Sequence, residues 1–306
     1  MLIPMKAFRR TIAAYIAFAL APLLVAGAAG AEPLVDLTKQ TQLQPGFEKN
    51  QEVHSLLPEA IRKAGEINVA LAVGIAPVNF PGEKPGEVRG LTADLVTGLE
   101  QVLGIKFKTT IFPNTASQLL ALESGQVDLT VSTNGDTLER QKSFTFVDYI
   151  LSTNSIVVAK GNPLGIAKAL DVCGKVYGEV KGSFSVYGTF EKVCKGAGLP
   201  TPTLSSFDDA PSMMLSLASG RVNAYAGSTF NTIYQQSQGV PVEDVPLPEA
   251  GELLLGMTVA RNDQPIADAV NAALQVLVKN GYYKQALEHW GLGAYAIQPG
   301  VNLAAK

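Results

Sequence analysis

Few side chains in this 306-residue chain are able to do chemistry, and their scarcity narrows the options. His54 and His289 are the only histidines, one in a polar N-terminal stretch and one beside Trp290. They cannot build a His-rich metal centre or serve a Ser-His-Asp arrangement. Arg140, in Thr137-Leu138-Glu139-Arg140-Gln141, carries a planar guanidinium whose two parallel donors match a carboxylate. Taken alone, an Arg beside Glu139 and Lys142 is also what a solvated helix face looks like. Gly182-Ser183-Phe184-Ser185 has the composition of a helix start, where free N–H groups attract an anion and Ser183 or Ser185 can cap. Cys173 and Cys194 are the only cysteines and form no C-x-x-C redox pair.

Composition sets the class within which these groups act. Hydrophobic residues make up 47% and charged ones 17%, with 29 Gly and 18 Pro, which excludes a disordered tail, a collagen and a coiled coil. The first 31 residues hold three basic and no acidic side chains; the rest hold 21 basic against 27 acidic ones, a net charge of −6. An acidic chain with scattered Lys and Arg is a poor match for phosphate backbones, so nucleic acid is not an expected partner. The N-terminus combines a basic start, an apolar run over Ile12–Val25 and small residues ending Ala29-Gly30-Ala31. The run approaches a membrane-spanning length, but Pro22 interrupts it and an A-x-A site follows, so export and cleavage after Ala31 are expected. In an exported protein, two cysteines with none left over predict a disulfide, Cys173–Cys194, worth roughly 3 kcal/mol through the unfolded state.

The elements that must position these groups follow from periodicity. Residues 32–65 are polar and punctuated by Pro, which predicts a loose arm with one short helix over Leu56–Ala64, closed by Gly65. Strand-like runs fall at Ile67–Val73, Lys106–Phe112, Val127–Val131, Lys175–Val180, Val222–Ala226 and Leu253–Arg261. Helical spacing falls at Ala93–Leu103, Ser117–Leu122, Tyr187–Gly196, Pro211–Ser219, Ile266–Asn280 and Tyr282–Trp290. Such alternation predicts an α/β protein with largely parallel sheets. Ser124-Gly125-Gln126-Val127-Asp128 is echoed by Ser219-Gly220-Arg221-Val222-Asn223, which suggests two similar lobes. Trp290 reads as packing.

Several segments in order resemble one family. They are LLPEAIRKAGEINVALAV, APVNF, GLTADL (Gly90–Leu95), LESGQVDLTVSTNGDTLERQKSFTFVDY (Leu122–Tyr149), IVVAKGN, CGKVYGEVKGSFS, SGRVNAYAGS, LLLGMTVARND and VLVKNGYYKQALEHWGL. The chain is similar to periplasmic solute-binding proteins of ABC importers, of the polar amino-acid type (family 3). The resemblance implies a type II two-lobed α/β fold with two crossover strands as its hinge, near Val158–Lys160 and Leu254–Met257. Lobe one would comprise residues 66–159 and 254–296, lobe two 160–253, with 297–306 a C-terminal tail. It implies a monomer that takes a small carboxylate or amino-acid ligand in the periplasm by hinge closure and delivers it to an inner-membrane ABC permease, with no cofactor and no metal. By position, Arg140 would grip the ligand's carboxylate; Ser132, Thr133 and Gly135 would line the turn after a strand, Gly135 through its backbone alone. Ser183 and Phe184 would face them from the other lobe, and Asn79 and Phe80 would complete the wall.

The departures from the family pattern matter as much. The usual acid after the first strand is Ala72, the usual aromatic is Ile75, and a second common aromatic falls at Thr115. The family acid for the ligand's ammonium falls at Ser228 or Gly227. A buried ammonium without a carboxylate or aromatic partner is costly. Two expectations therefore stand: a carboxylate whose amino group is absent or masked, or an ordinary amino acid held by carbonyls, Asn79, Asn134, Tyr225 and Ser228. An enzyme on the same scaffold, resembling cyclohexadienyl dehydratase, is the alternative class; it would need an acid in the cleft, for which Glu179 and Glu191 are the candidates. The sensory domain of a membrane receptor would need a spanning segment after Lys306.

Overall fold

The structure, a computed structural model, describes residues 43–82 and 86–305, and the backbone of Leu34–Val35. The export segment expected over residues 1–31 and most of the arm before residue 43 lie outside the described residues. From residue 43 the arm is not loose. Leu43 and Phe47 pack against the main core, and Val53 and Leu57 are buried. The Phe47 ring meets Tyr282 edge-on at 5.5 Å. Asn50 caps a helix that the sequence reading missed, α1 (Gln51–Ser55), its Oδ1 accepting Val53 N–H at 3.1 Å. Four apolar anchors spaced through a polar run give little periodicity, so the packing was hidden.

In chain order there follow β1 (Leu34–Val35, ahead of α1), α2 (Glu59–Ala64), β2 (Glu66–Ala72), the hairpin β3 (Phe80–Pro81) and β4 (Val88–Arg89), α3 (Leu91–Leu103), β5 (Lys106–Phe112), α4 (Thr115–Glu123) and β6 (Leu129–Gly135). A long strand, β7 (Phe144–Ala159), leads into β8 (Val176–Val180), α5 (Tyr187–Gly196), β9 (Thr203–Phe207), α6 (Ala210–Ala218), β10 (Ala224–Ser228), α7 (Thr229–Ser237) and β11 (Val242–Pro246). The chain closes with β12 (Glu252–Ala260), α8 (Gln264–Lys279), α9 (Tyr282–His289) and β13 (Ala296–Val301).

These strands form one sheet path in the order β1-β5-β2-β6-β12-β7-β10-β8-β9, with β11 and β13 also paired to β7. β2 is parallel to β5 and β6, and β8 is parallel to β9 and β10, as α/β crossovers require. β7 belongs to both halves. From Phe144↔Ala260 to Thr153↔Glu252 it pairs with β12; from Asn154↔Ser228 onward it pairs with β10 and β11. The partner changes between Thr153 and Asn154, several residues before the expected Val158–Lys160. The return falls between Leu247 and Glu252, not at Leu254–Met257. Ile156, Val157 and Val158 are core residues of the second half.

Each half has its own core. α3, α8 and α9 cover the first, where Tyr283 donates to Tyr149 O at 2.6 Å and Trp290 Nε1 donates to Asp94 Oδ2 at 2.7 Å. α5 and α6 cover opposite faces of the second. The echo seen in the sequence has a structural counterpart. Asp128 N–H donates to Asn68 O and Asp128 Oδ2 accepts Asn68 N–H; Asn223 makes the same exchange with Val176. In each half the residue opening a strand is thus tied to its parallel neighbour.

The C-terminal residues are a strand, not a tail. β13 lies antiparallel on β7, with Gly300↔Asp148 and Val301↔Val147. Gln-Pro-Gly reads as a turn in sequence, and an edge strand tolerates it because its outer side needs no donor. The disulfide joins Cys173 to Cys194 across 21 positions and fastens the segment before β8 to α5. Replacing both cysteines by Ala is expected to cost about 3 kcal/mol in urea-unfolding free energy. The same loss on adding reductant to the parent protein, and none in the variant, is the control.

Candidate functional site

A cavity of about 170 Å3 opens where the carboxyl ends of β2, β5 and β6 face those of β8 and β10. The parallel pairing that directs these strand ends to one place is what assembles it. Arg140 stands at its edge, on a short 3-10 turn, Arg140–Lys142, held by Arg140 N–H donating to Thr137 Oγ1 at 3.2 Å. Its guanidinium donates through Nη1 to Gly135 O at 3.1 Å and through Nη2 to Gly182 O at 2.6 Å. Gly135 ends β6 in one half and Gly182 follows β8 in the other, so this one side chain ties the halves together. Arg140 makes no ion pair among the described residues, and burial lowers its pKa from the ordinary guanidinium value. A partly buried cation bonded to neutral carbonyls attracts an anion.

β6 is buried along its whole length, which fixes the groups beside that guanidinium. The Thr133 hydroxyl lines the cavity, buried, with no hydrogen-bond partner among the described residues. Ser132 also lines it, but its hydroxyl accepts Ala72 N–H at 2.8 Å and donates to Gln118 Oε1 at 2.9 Å. Asn134 is committed as well, to Gln118, Thr130 and Thr258. At Gly135 an added Cβ would come within 3.2–3.3 Å of Leu253 and Phe184, so those side chains would have to give by a few tenths of an ångström. Ile75 and Thr115 contribute wall surface, Thr115 from the first turn of α4, which Asn114 caps.

The opposing wall differs from the sequence expectation. Ser183 and Phe184 line the cavity, and Phe184 packs on the cores of both halves. Gly182-Ser183-Phe184-Ser185, however, does not open a helix: α5 begins at Tyr187, with Val186 at its N-cap and no side-chain cap. Ser183 N–H donates to Val180 O at 3.1 Å, and Tyr187 N–H donates to Ser185 Oγ at 3.3 Å. The cause is Gly182, whose left-handed φ of +73° turns the chain before the helix can start. This close approach admits no side chain, since a Cβ on Gly182 would lie 2.5 Å from the backbone nitrogen of Ala116.

The second half instead brings in an acid. Glu179, near the end of β8, lines the cavity together with Tyr177, and Ser185 Oγ donates to its carboxylate. The sequence reading weighed Glu179 only as a catalytic acid. Its two-residue spacing from Tyr177 on one strand face was the available signal. Burial, and secondarily Glu179, push the Tyr177 phenol upward in pKa; burial does the same to Tyr225, so both remain protonated donors. Beyond Glu179 lie Met213, Met214 and Tyr225, whose hydroxyl donates to Gln235. Ser228 lines the same wall at the start of α7.

Asn79 and Phe80 lie outside the cavity, which corrects their expected place in its wall. The loop before them folds back through an Ile75↔Asn79 bridge and buries Asn79 completely, its Oδ1 facing Ile75 N–H at 3.4 Å. Phe80 packs between Tyr234 and Trp290, at 5.5 and 5.7 Å. Further hydrogen bonds that span the halves include Asn114 Nδ2 to Asp208 O at 2.9 Å and Asn231 Nδ2 to Ala76 O at 2.6 Å. Among the described residues no group of three or more His, Cys, Asp and Glu could hold a metal ion, and no helix is long and apolar enough to cross a membrane.

This architecture recurs in known proteins. The chain is 26% identical over 216 residues to the ABC transporter glutamine-binding protein GlnH of Bacillus subtilis, covering 67% of this chain and 73% of that one. An ancestral arginine-binding protein bound to arginine superposes with a TM-score of 0.64 at 28% identity, over 74% of this chain and 98% of that one. The amino acid ABC transporter substrate-binding protein AbpA of Streptococcus pneumoniae, bound to L-arginine, gives 0.68 at 20% identity, over 78% and 100%. The fold is therefore that of two-lobed periplasmic binding proteins. Residues 67–293 match the bacterial extracellular solute-binding proteins, family 3, and the chain belongs to that family of amino-acid ABC transporter binding proteins.

Proposed function

We propose that the cleft captures one small zwitterionic amino acid and that the protein carries it, as a monomer in the periplasm, to an inner-membrane ABC permease. The observation that carries this reading is the pairing of Arg140 and Glu179 on opposite walls of one cavity. Arg140 exchanges carbonyl partners for the ligand's carboxylate, a stronger, charge-assisted acceptor suited to its fork. Thr133 supplies a hydroxyl that otherwise has no partner among the described residues. Glu179 receives the ammonium, which removes the desolvation objection to a zwitterion and disfavours a ligand without its amino group. Met213, Met214 and Tyr225 then bound the ligand's side chain. Closure brings Gly182 against α4 and is held by the bonds that span the halves. The glutamine- and arginine-binding proteins similar to this chain support binding over catalysis. Export with cleavage after Ala31 completes the reading.

Calorimetry with each standard amino acid and its deaminated analogue tests this. One or a few zwitterions are expected to bind, with the deaminated partner at least tenfold weaker. Equal affinity for both would remove Glu179 from its assigned role, and turnover of prephenate in an ultraviolet assay would favour the dehydratase alternative. Arg140→Met is expected to weaken binding roughly a hundredfold, about 3 kcal/mol, and Glu179→Gln about tenfold.

Gly182→Ala probes closure separately. Its methyl group meets backbone across the cleft, so ligand affinity is expected to fall at least tenfold while the unliganded melting temperature stays within about 3 °C. Small-angle scattering should show less compaction on ligand addition than in the parent. Parent-like compaction would count against the closed contact.

A further inference from the structure

Beyond residue 293, where the family match ends, the chain supplies β13 and a last turn, Leu303–Ala305. We propose that this segment is a strap that positions Arg140, with Asp136 as the positioning residue through which it acts. Asp136 is 3% exposed and directly follows Gly135. Its carboxylate accepts Gln141 Nε2 on both oxygens, at 2.7 and 2.9 Å, and Ala304 N–H at 3.1 Å. Its own N–H donates to Leu254 O at 2.9 Å. No cation pairs with it among the described residues, so its charge is held by N–H groups alone. Gln141 is the neighbour of Arg140 in the 3-10 turn, so the strap, the carboxylate and the guanidinium form one chain of contacts.

The strap arrives at a fixed place. Asn302 exchanges two hydrogen bonds with Phe146, its N–H donating at 3.0 Å and its Oδ1 accepting at 2.8 Å, and Leu303 N–H donates to Asp148 Oδ2 at 2.9 Å. From the other side, Arg261 donates to the carbonyls of Gln141 and Lys142. The segment from Thr137 to Lys142 has only a three-residue turn of its own, so its geometry depends on these ties. A bidentate grip tolerates little displacement, which gives the ties a role in recognition. The inference rests on Arg140 being the anion-gripping residue.

The test needs no ligand, so its failure is distinguishable from failure of the amino-acid reading. In isotope-labelled protein the Arg140 guanidinium N–H resonances are identified by their loss in Arg140→Lys. Ala304→Pro removes one donor, and Asp136→Asn retains the shape while leaving only one acceptor oxygen. Both are expected to speed hydrogen exchange at the Arg140 side chain and at the amides of residues 137–142 at least tenfold, with β2 and α5 unchanged. Unchanged Arg140 exchange in either variant overturns the proposal, as does uniform acceleration throughout, which marks mere global destabilisation. Should Ala304→Pro fail to fold, Asp136→Asn and a chain ending at Asn302 decide between the same outcomes.

Discussion

A guanidinium half withdrawn from water, bonded to carbonyl oxygens and without an ion pair among the described residues, is the constraint on which the rest of this molecule depends. Arg140 bonds Gly135 O and Gly182 O, one from each half of the sheet. Neutral carbonyls satisfy donors but leave the charge largely uncompensated, and low local polarity makes that imbalance felt. Every nearby feature either permits the arrangement or exploits it. Gly135 and Gly182 lack side chains where a Cβ would meet the facing wall. Glu179 lines the cavity from the second half and makes no ion pair among the described residues, its carboxylate held by Ser185.

The fold serves this site through one shared strand. β7 pairs with β12 and then with β10 and β11, so a single backbone runs through both halves. Strand pairing changes partner near Thr153–Asn154 and Leu247–Glu252, which are the places where the two halves join. Away from them each half has its own buried core and its own tied parallel strands. Contacts across the cleft are few and polar, apart from Phe184 and the aromatic packing at the base of α7. Such contacts are suited to breaking and remaking, since a hydrogen bond exchanged with water changes net free energy little.

Much of the fold was legible because α/β alternation writes itself into local periodicity. β5 and α5 begin and end where the sequence reading put them, and most other elements shift by one to three residues. What escaped includes α1 in a polar run, the long strand β7, β9, β13 behind Gln-Pro-Gly, and β11 and α7 without strong patterning. Within the site, Ile75, Thr115, Ser132, Thr133, Gly135, Arg140, Ser183, Phe184 and Ser228 all line the cavity. Asn79 and Phe80 do not, because a fold-back loop redirects both, and linear spacing carries no information about such a turn.

The sequence by itself determined the class of fold, the cysteine pair and the residues that could bear charge near the cleft, since each follows from local pattern or from composition. Only the tertiary structure decided which hydroxyls are free, which carboxylate faces the guanidinium and what holds the Arg140 turn. Those answers depend on contacts between segments far apart in the chain, such as Ala304 with Asp136 and Arg140 with Gly182. A hydrogen-bonding group has the same chemistry wherever it sits, and packing alone assigns its partner.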